Sequence, residues 1–278
     1  MRKLSPRTLG VLSGLIAMSA SILSACGASP VKTSAPKVLV QPPAAIAKAG
    51  VLRIGSGLAY PPMEYFNANQ QPAGVDVELG TAIAKAMGVK VQWVQIAFAG
   101  LIPALNAGRV DMIMADMNVT PDREKVVNFV QYLTDGSSIV TAANNPENIG
   151  SLADLSGKTV AVQLGTTLQA IADTENQHLK AQGQPLINVL TFPQATDAMD
   201  QLALGRVSAV LLTTSIAKYY AKQQPSHFYV VAQPIASQPV GIAISKSDPA
   251  LRAAVQKAVQ KLKANGTFQK ILDKYFGK

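Results

Sequence analysis

The sequence predicts an α/β fold made of two similar lobes. Apolar segments of strand length alternate with segments whose apolar residues recur at helical spacing. A six-residue pattern also recurs, because residues 105–110 (LNAGRV) return 97 residues later as residues 202–207 (LALGRV). In each copy a glycine would end a helix and an apolar strand would follow. The repeated unit therefore indicates two lobes of the same αβ construction.

The individual elements follow from apolar spacing and from signals at their ends. Strands are predicted at residues 51–55, 89–96, 110–114, 159–162, 187–192, 207–212 and 240–244. One helix starts at Val75 and stops at Gly88, and a shorter one covers residues 101–107. A further helix starts at Asp248-Pro249, a capping residue followed by proline at the first helical position.

Composition excludes several classes of function. The chain has 278 residues, 48% hydrophobic and 15% charged, which is typical of a packed globular protein rather than a disordered one. Lys and Arg exceed Asp and Glu by nine, but no block of five or six basic residues suggests a nucleic-acid partner. Two His and one Cys leave almost no material for a metal centre. We expect no cofactor, no metal and no nucleic acid.

The N-terminus has the layout of a targeting segment. Residues 1–7 carry three positive charges, an apolar run covers residues 9–22, and no charged residue follows until Lys32. Residues 23–26 (LSAC) resemble the lipobox of bacterial lipoproteins and contain the only cysteine of the chain. We interpret residues 1–25 as a lipoprotein signal peptide and Cys26 as the lipidated first residue of the mature protein. The alternative is an uncleaved anchor followed by a chance cysteine.

Either interpretation places the body outside the cytoplasm, in the periplasm or at the outer face of the cytoplasmic membrane. Residues 26–47 are rich in Gly, Ser and Pro, so we interpret them as a flexible tether between the lipid and the body. A Cys carrying two or three acyl chains would hold the protein at the membrane surface. Removal of residues 1–25 lowers the basic excess from nine to six.

A series of short motifs resembles one protein family in both order and spacing. The motifs are LRIG at 52–55, YPPMEY at 60–65, GVDVEL at 74–79, GLIPAL at 100–105, TPDR at 120–123, GKTVAV at 157–162, GTT at 165–167 and GIAI at 241–244. Together they make residues 48–276 similar to the family 3, or amino-acid type, extracellular solute-binding proteins of ABC importers. The resemblance implies a two-lobed periplasmic-binding-protein (Venus flytrap) fold, with two mixed sheets flanked by helices and a hinge of two crossover strands.

The resemblance also implies a division of the chain. Lobe 1 would contain residues 48–137 and 238–278, and lobe 2 residues 138–237. The crossovers then lie near residues 135–138 and 237–240. Gly136 and Pro239 suit a hinge there, although both could equally be ordinary turn residues.

Ligands of open α/β sheets bind beyond the carboxyl ends of parallel strands, which places the cleft between residues 115–118 and 212–215. The resemblance gives Arg123 the role of holding a ligand carboxylate, which suits a planar guanidinium; the alternative is an exposed, salt-bridging arginine. It gives Tyr60 and Phe98 the role of sandwiching the ligand, although aromatic residues at strand ends are often core. The remaining candidate ligand-binding residues are Ala115, Asp116, Asn118, Gln163, Thr166, Thr167 and Thr213.

Three residues depart from the pattern of amino-acid-binding relatives. Thr213 stands where such relatives usually have the aspartate that holds the α-ammonium group, and Gly57 replaces a residue that is often acidic or polar. Asp116 stands where a small residue is usual, and the internal repeat makes positions 116 and 213 equivalent. Either Asp116 receives the ammonium group, or the ligand is not an ordinary α-amino acid. Glu64 and Glu78 we interpret as structural or solvent-facing.

The sequence therefore predicts a monomeric, non-enzymatic binding protein that captures a small polar solute and delivers it to an ABC permease. The solute would be an amino acid or an amino-acid-like carboxylate. The alternative is an enzyme of the cyclohexadienyl (prephenate or arogenate) dehydratase type, for which Asp116 is the only obvious general acid in the predicted cleft.

Overall fold

The computed structural model describes residues 38–231 and 235–277, without the side chain of Ala236. The predicted signal peptide, Cys26 and the first part of the predicted tether lie outside the described residues. Within residues 38–231 and 235–277, no helix is long and apolar enough to span a bilayer.

The described chain alternates helices with strands as the sequence predicts. The helices are α1 Ala44–Ala49, α2 Val75–Ala86, α3 Leu101–Asn106, α4 Pro121–Val126, α5 Thr167–Ala181, α6 Ala195–Ala203, α7 Thr214–Gln223, α8 Pro249–Ala264 and α9 Thr267–Phe276. The strands are β1 Val51–Ser56, β2 Ala59–Tyr60, β3 Glu64–Phe66, β4 Pro72–Ala73, β5 Lys90–Gln95, β6 Met112–Ile113, β7 Val127–Ala142, β8 Thr159–Gln163, β9 Asn188–Phe192, β10 Ala209–Thr213, β11 Phe228–Val230 and β12 Ala236–Ser245.

Each lobe contains three parallel strands. In lobe 1 these are β5, β1 and β6, and in lobe 2 they are β9, β8 and β10. The most deeply buried residues on them are aliphatic, as expected for strands that helices cover on both faces. The carboxyl ends of β6 and β10 lead into Ala115–Asn118 and Thr213–Ser215, so the loops predicted to form the cleft follow strands of opposite lobes.

The two crossover strands are β7 and β12, which pair antiparallel from Val127 opposite Ser245 to Ser137 opposite Ala236. Beyond that point β7 pairs with β10 and β11 of lobe 2. The two predicted sheets are therefore one nine-stranded sheet, in the order β5-β1-β6-β12-β7-β10-β8-β9 with β11 on β7. The sequence predicts two sheets. A single sheet forms because β7, at 16 residues, is long enough to pair with strands of both lobes.

The internal repeat has the predicted structure in both lobes. Gly108 follows α3 and Gly205 follows α6, and both have left-handed backbones, with φ of 68° and 66°. Their amides donate to the carbonyls of Leu105 and Leu202, each at 3.0 Å. The two sequences therefore end a helix in the same way before a buried strand begins.

The packed body begins earlier than residue 48. Val40 and Ile46, which the sequence analysis assigns to the tether, are buried in the core of lobe 1. The amides of Leu39 and Val40 both donate to the carbonyl of Ala86 at the end of α2. The sequence does not identify this segment as part of the packed body, because its two buried residues are too few and too far apart to form a periodic apolar pattern.

Candidate functional site

One small cavity lies between the lobes at the carboxyl ends of the parallel strands. Its volume is about 20 Å³, and it is lined by Tyr60, Glu64, Phe98, Ala115, Asp116, Asn118, Gln163, Thr166, Leu168 and Thr213. Eight of the ten residues predicted from the sequence are in this lining, while Arg123 and Thr167 lie just outside it. A cavity of this volume accommodates roughly one water molecule, so an amino acid enters only after the lobes separate.

Direct hydrogen bonds join the lobes across this cavity. The Tyr60 hydroxyl lies 3.2 Å from Thr213 Oγ1 and accepts from the Thr213 amide at the same distance. Thr213 Oγ1 also donates to Asp116 Oδ2 at 3.1 Å, so the two positions made equivalent by the repeat are in contact. At the rim, Thr167 Oγ1 donates to Asn118 Oδ1 at 2.8 Å. The structure is therefore the closed form of the clamp.

Arg123 is held at the rim of the cavity by the start of α4. Thr120 caps this helix, accepting from the Arg123 amide at 3.2 Å, and Pro121 occupies the first helical position. The guanidinium donates to the carbonyls of Asn118 at 2.7 Å and, in the other lobe, of Gly165 at 3.1 Å. It also lies 5.3 Å from the centroid of the Phe98 ring.

The Arg123 guanidinium forms no ion pair with any described residue, so nothing among these residues neutralises its charge. Burial lowers the pKa of Arg123 to about 10, so it remains protonated at neutral pH. Arg123 therefore does not have the salt-bridging role that the sequence left open, among the described residues.

The lobe 2 side of the cavity is formed where β8 leads into α5. Thr166 caps α5 by accepting from the Gln169 amide at 3.3 Å, and its hydroxyl donates to the Gln163 carbonyl at 2.7 Å. These bonds hold Gln163, Thr166 and Leu168 against the cavity. The positive end of a 15-residue helix dipole lies at the same place, which favours an anionic ligand group.

A cluster of buried carboxyl groups lies on the lobe 1 side of the cavity. Asp76, at the start of α2, accepts from the Tyr132 hydroxyl at 2.6 Å and from the Asp116 amide at 2.8 Å. Burial raises the pKa of Asp76 to about 6, against the effect of these two hydrogen bonds. Burial, together with the charges of Asp135 and Asp76, raises the pKa of Asp116 well above its usual value. Asp116 adopts a left-handed backbone with φ of 45°.

Glu64 is the functional candidate that the sequence analysis missed. It was expected to be structural or solvent-facing, but its side chain lines the cavity and the residue is only 2% exposed. Burial first, and then the charges of Asp76 and Asp116, raise the pKa of Glu64 well above its usual value. The structure places Glu64 opposite Tyr60 in the small β2–β3 pairing, next to the aromatic wall, and no signal in the sequence marks that pairing.

The fold and the cavity define a class of protein, the two-lobed clamp that closes over a small polar solute at the carboxyl ends of its strands. The profile of the bacterial extracellular solute-binding proteins, family 3, matches residues 52–278, and the chain belongs to this family. Among the described residues, no group of three or more His, Cys, Asp or Glu side chains is arranged to hold a metal ion.

Named relatives agree with this membership. The L-arginine-binding protein of Pseudomonas aeruginosa is 33% identical over 240 residues, covering 81% of this chain and 87% of the relative. The structure of an ancestral arginine-binding protein bound to arginine has a TM-score of 0.76 and 36% identity, covering 82% of this chain and 99% of its own. An ancestral amino acid-binding protein, a precursor of cyclohexadienyl dehydratase, has a TM-score of 0.74 and 36% identity, covering 84% and 98%.

Proposed function

We propose that this protein captures an amino acid, or an amino-acid-like carboxylate, between its lobes and delivers it to an ABC permease. The observation that carries the proposal is a cation and an acid at one cavity, the Arg123 guanidinium at the rim and the buried Asp116 carboxyl group in the wall, which a bound cation would ionise. A zwitterion presents the complementary pair of charges. Relatives named as arginine-binding and amino-acid-binding proteins support the same ligand class.

In this proposal Arg123 holds the ligand carboxylate and Asp116 holds its ammonium group. Arg123 is half-buried, so a carboxylate there forms charge-assisted hydrogen bonds with little competition from water. Tyr60 and Phe98 form the apolar walls, and Asn118, Gln163, Thr166, Thr167 and Thr213 supply neutral hydrogen-bonding groups. Ligand contacts with both lobes would favour the closed form that the permease accepts.

The experiment that tests this function is calorimetric titration of Arg123→Ala with the amino acid that binds the wild-type protein most tightly. Loss of the charge-assisted contact should cost about 2–4 kcal/mol, which weakens binding by tens to about a thousandfold. The matched control is Arg109→Ala, which removes an exposed arginine of the same lobe outside the cavity. Near-native affinity of Arg123→Ala would remove Arg123 from the site, and absence of amino-acid binding by the wild type would refute the function.

We also infer that the body acts outside the cytoplasm at the end of a lipid anchor on Cys26. The order of basic segment, apolar run and LSAC sequence supports this location, as does membership of an extracellular family. Replacement Cys26→Ser should release the protein into the soluble fraction of fractionated cells. Membrane retention of an unprocessed Cys26→Ser chain would instead indicate an uncleaved anchor.

A dehydratase acting on prephenate or arogenate is the second candidate. It is favoured by the raised pKa of Asp116, which keeps a proton available for a leaving group, and by similarity to the ancestral precursor of such an enzyme. The same raised pKa follows from burial of an acid that awaits a cationic ligand, so it does not by itself favour catalysis. Consumption of prephenate by the wild-type protein, lost in Asp116→Asn, would decide for the enzyme.

A further inference from the structure

Two carboxyl groups of the cavity have oxygen atoms without a hydrogen-bond partner. Glu64 is 2% exposed and Asp116 4% exposed, and neither Glu64 Oε2 nor Asp116 Oδ1 has a partner among the described residues. Both side chains line the same cavity. A buried carboxyl oxygen without a partner is unfavourable, so each marks a place where a ligand donor would fit.

The third acid of the cluster has a different role. Both carboxyl oxygens of Asp76 accept hydrogen bonds, one from Tyr132 and one from the Asp116 amide, and Asp76 is absent from the cavity lining. Asp76 therefore positions the loop that carries Asp116. Glu64 has no such internal partner, and in the described residues no Lys, Arg or His forms an ion pair with Glu64 or Asp116.

The charges of the site can then be matched to a ligand. The site presents one free cation, Arg123, and two acids with open oxygens, Asp116 and Glu64, among the residues described. An amino acid with a neutral side chain has one carboxylate and one ammonium group, which satisfies Arg123 and Asp116 and leaves Glu64 unmatched. An amino acid with a cationic side chain satisfies all three groups.

We propose that Glu64 binds a second cationic group of the ligand, so that the protein selects amino acids with cationic side chains, and that this group displaces a proton from Glu64. The O–H bond of the neutral carboxyl group breaks, the proton passes to the buffer, and the carboxylate accepts hydrogen bonds from the ligand ammonium or guanidinium group. This inference rests on the proposed function, and it adds the side-chain subsite and the proton release.

The surroundings of Glu64 determine the direction of the pH dependence. The titratable groups around it are Tyr60, Asp76, Asp116 and Tyr132, with Asp135 beyond Asp116. Burial and these negative charges favour neutral Glu64 while the ligand is absent, whereas a bound cation favours the ionised form. Binding therefore releases a proton at pH values between the ligand-bound and the ligand-free pKa of Glu64, and affinity rises with pH over that interval.

The test is calorimetric titration of the wild-type protein with L-arginine, L-lysine and L-ornithine, and with the neutral side chains of L-citrulline and L-glutamine. L-Citrulline matches L-arginine in shape and replaces the guanidinium by an uncharged urea group. We expect at least one cationic amino acid to bind about tenfold or more tightly than both neutral ones. At about pH 6, its binding enthalpy should vary with the ionisation enthalpy of the buffer more strongly than that of the neutral ligands, because Glu64 releases a proton in addition to any released by Asp116.

The variant that isolates the subsite is Glu64→Gln, which keeps the size of the side chain and removes its charge. It should weaken the cationic ligand about ten- to a hundredfold, leave the neutral ligands nearly unchanged and remove the extra proton release that the cationic ligand causes beyond the neutral ones. The control Glu147→Gln makes the same change at an exposed position in lobe 2 and should alter none of these values. The wild-type comparison of cationic and neutral ligands, and its proton release, decide the matter even if Glu64→Gln does not fold.

The outcomes separate this inference from the proposed function. If L-citrulline or L-glutamine binds as tightly as the cationic amino acids, the proposed Glu64 subsite is refuted. Full affinity of Glu64→Gln for the cationic amino acids would refute it equally. Loss of binding in Arg123→Ala would in that case still support amino-acid capture. If no amino acid binds the wild-type protein at all, both proposals are overturned.

Discussion

At the scale of single residues, the site sets an acid of one lobe against a threonine at the equivalent position of the other lobe. Asp116 and Thr213 follow corresponding strands of the two lobes, and Thr213 Oγ1 donates to Asp116 Oδ2 at 3.1 Å. A carboxylate on either side of this contact would face the same space. An acid at either position could therefore serve the same ligand group.

Variants at Asp116 and Thr213 test whether the acid that holds the ligand ammonium group can come from either lobe. Asp116→Asn is nearly isosteric and removes the charge, so it should weaken a zwitterionic amino acid by roughly 1–3 kcal/mol. The double variant Asp116→Asn with Thr213→Asp returns the charge from the other lobe and should recover most of that loss in a calorimetric titration. If the double variant binds no better than Asp116→Asn alone, or if Asp116→Asn keeps full affinity, Asp116 has a structural role instead.

Sequence motifs pointed to several residues that line the cavity, whereas a residue brought there by packing alone was not identified. Tyr60 lies in the YPPMEY motif and Asp116 follows the first copy of the repeat, and both line the cavity. Glu64 also lies in a motif, but nothing in a single sequence distinguishes a glutamate that is 2% exposed from one in solvent. Its burial and its proximity to the cavity follow from three-dimensional packing, which no local pattern around residue 64 records.

At the scale of elements, helix boundaries could be predicted best where local chemistry defines them. The cap at Asp248 accepts from the Leu251 amide at 2.8 Å and starts α8 as predicted. The merging of the two sheets could not be predicted, because it depends on the pairing of β7 with both β12 and β10. Strand pairing over such separations leaves no local signal in either strand.

At the scale of the whole molecule, closure depends on close approach of backbone as well as on charge. Gly165 of lobe 2 accepts from Arg123 of lobe 1, and an added Cβ at Gly165 would lie 3.1 Å from the Cβ of Ala99 in lobe 1. Gly165 has φ of 80°, so the turn before α5 also needs the left-handed backbone that glycine adopts easily. The position therefore combines a backbone requirement within lobe 2 with a contact between lobes.

Substitution Gly165→Ala should hinder closure as well as strain the turn. We expect it to weaken ligand binding by about tenfold or more, because closed contacts at the rim must shift to accommodate the methyl group. The matched control is Gly183→Ala, at φ of 68° with nothing within 4 Å of the added Cβ. Both variants should lose roughly 1–2 kcal/mol of stability from the left-handed backbone, measured by denaturant unfolding, but only Gly165→Ala should lose affinity in calorimetry. Equal affinities for the two variants would mean that the approach of Gly165 to Ala99 does not limit closure.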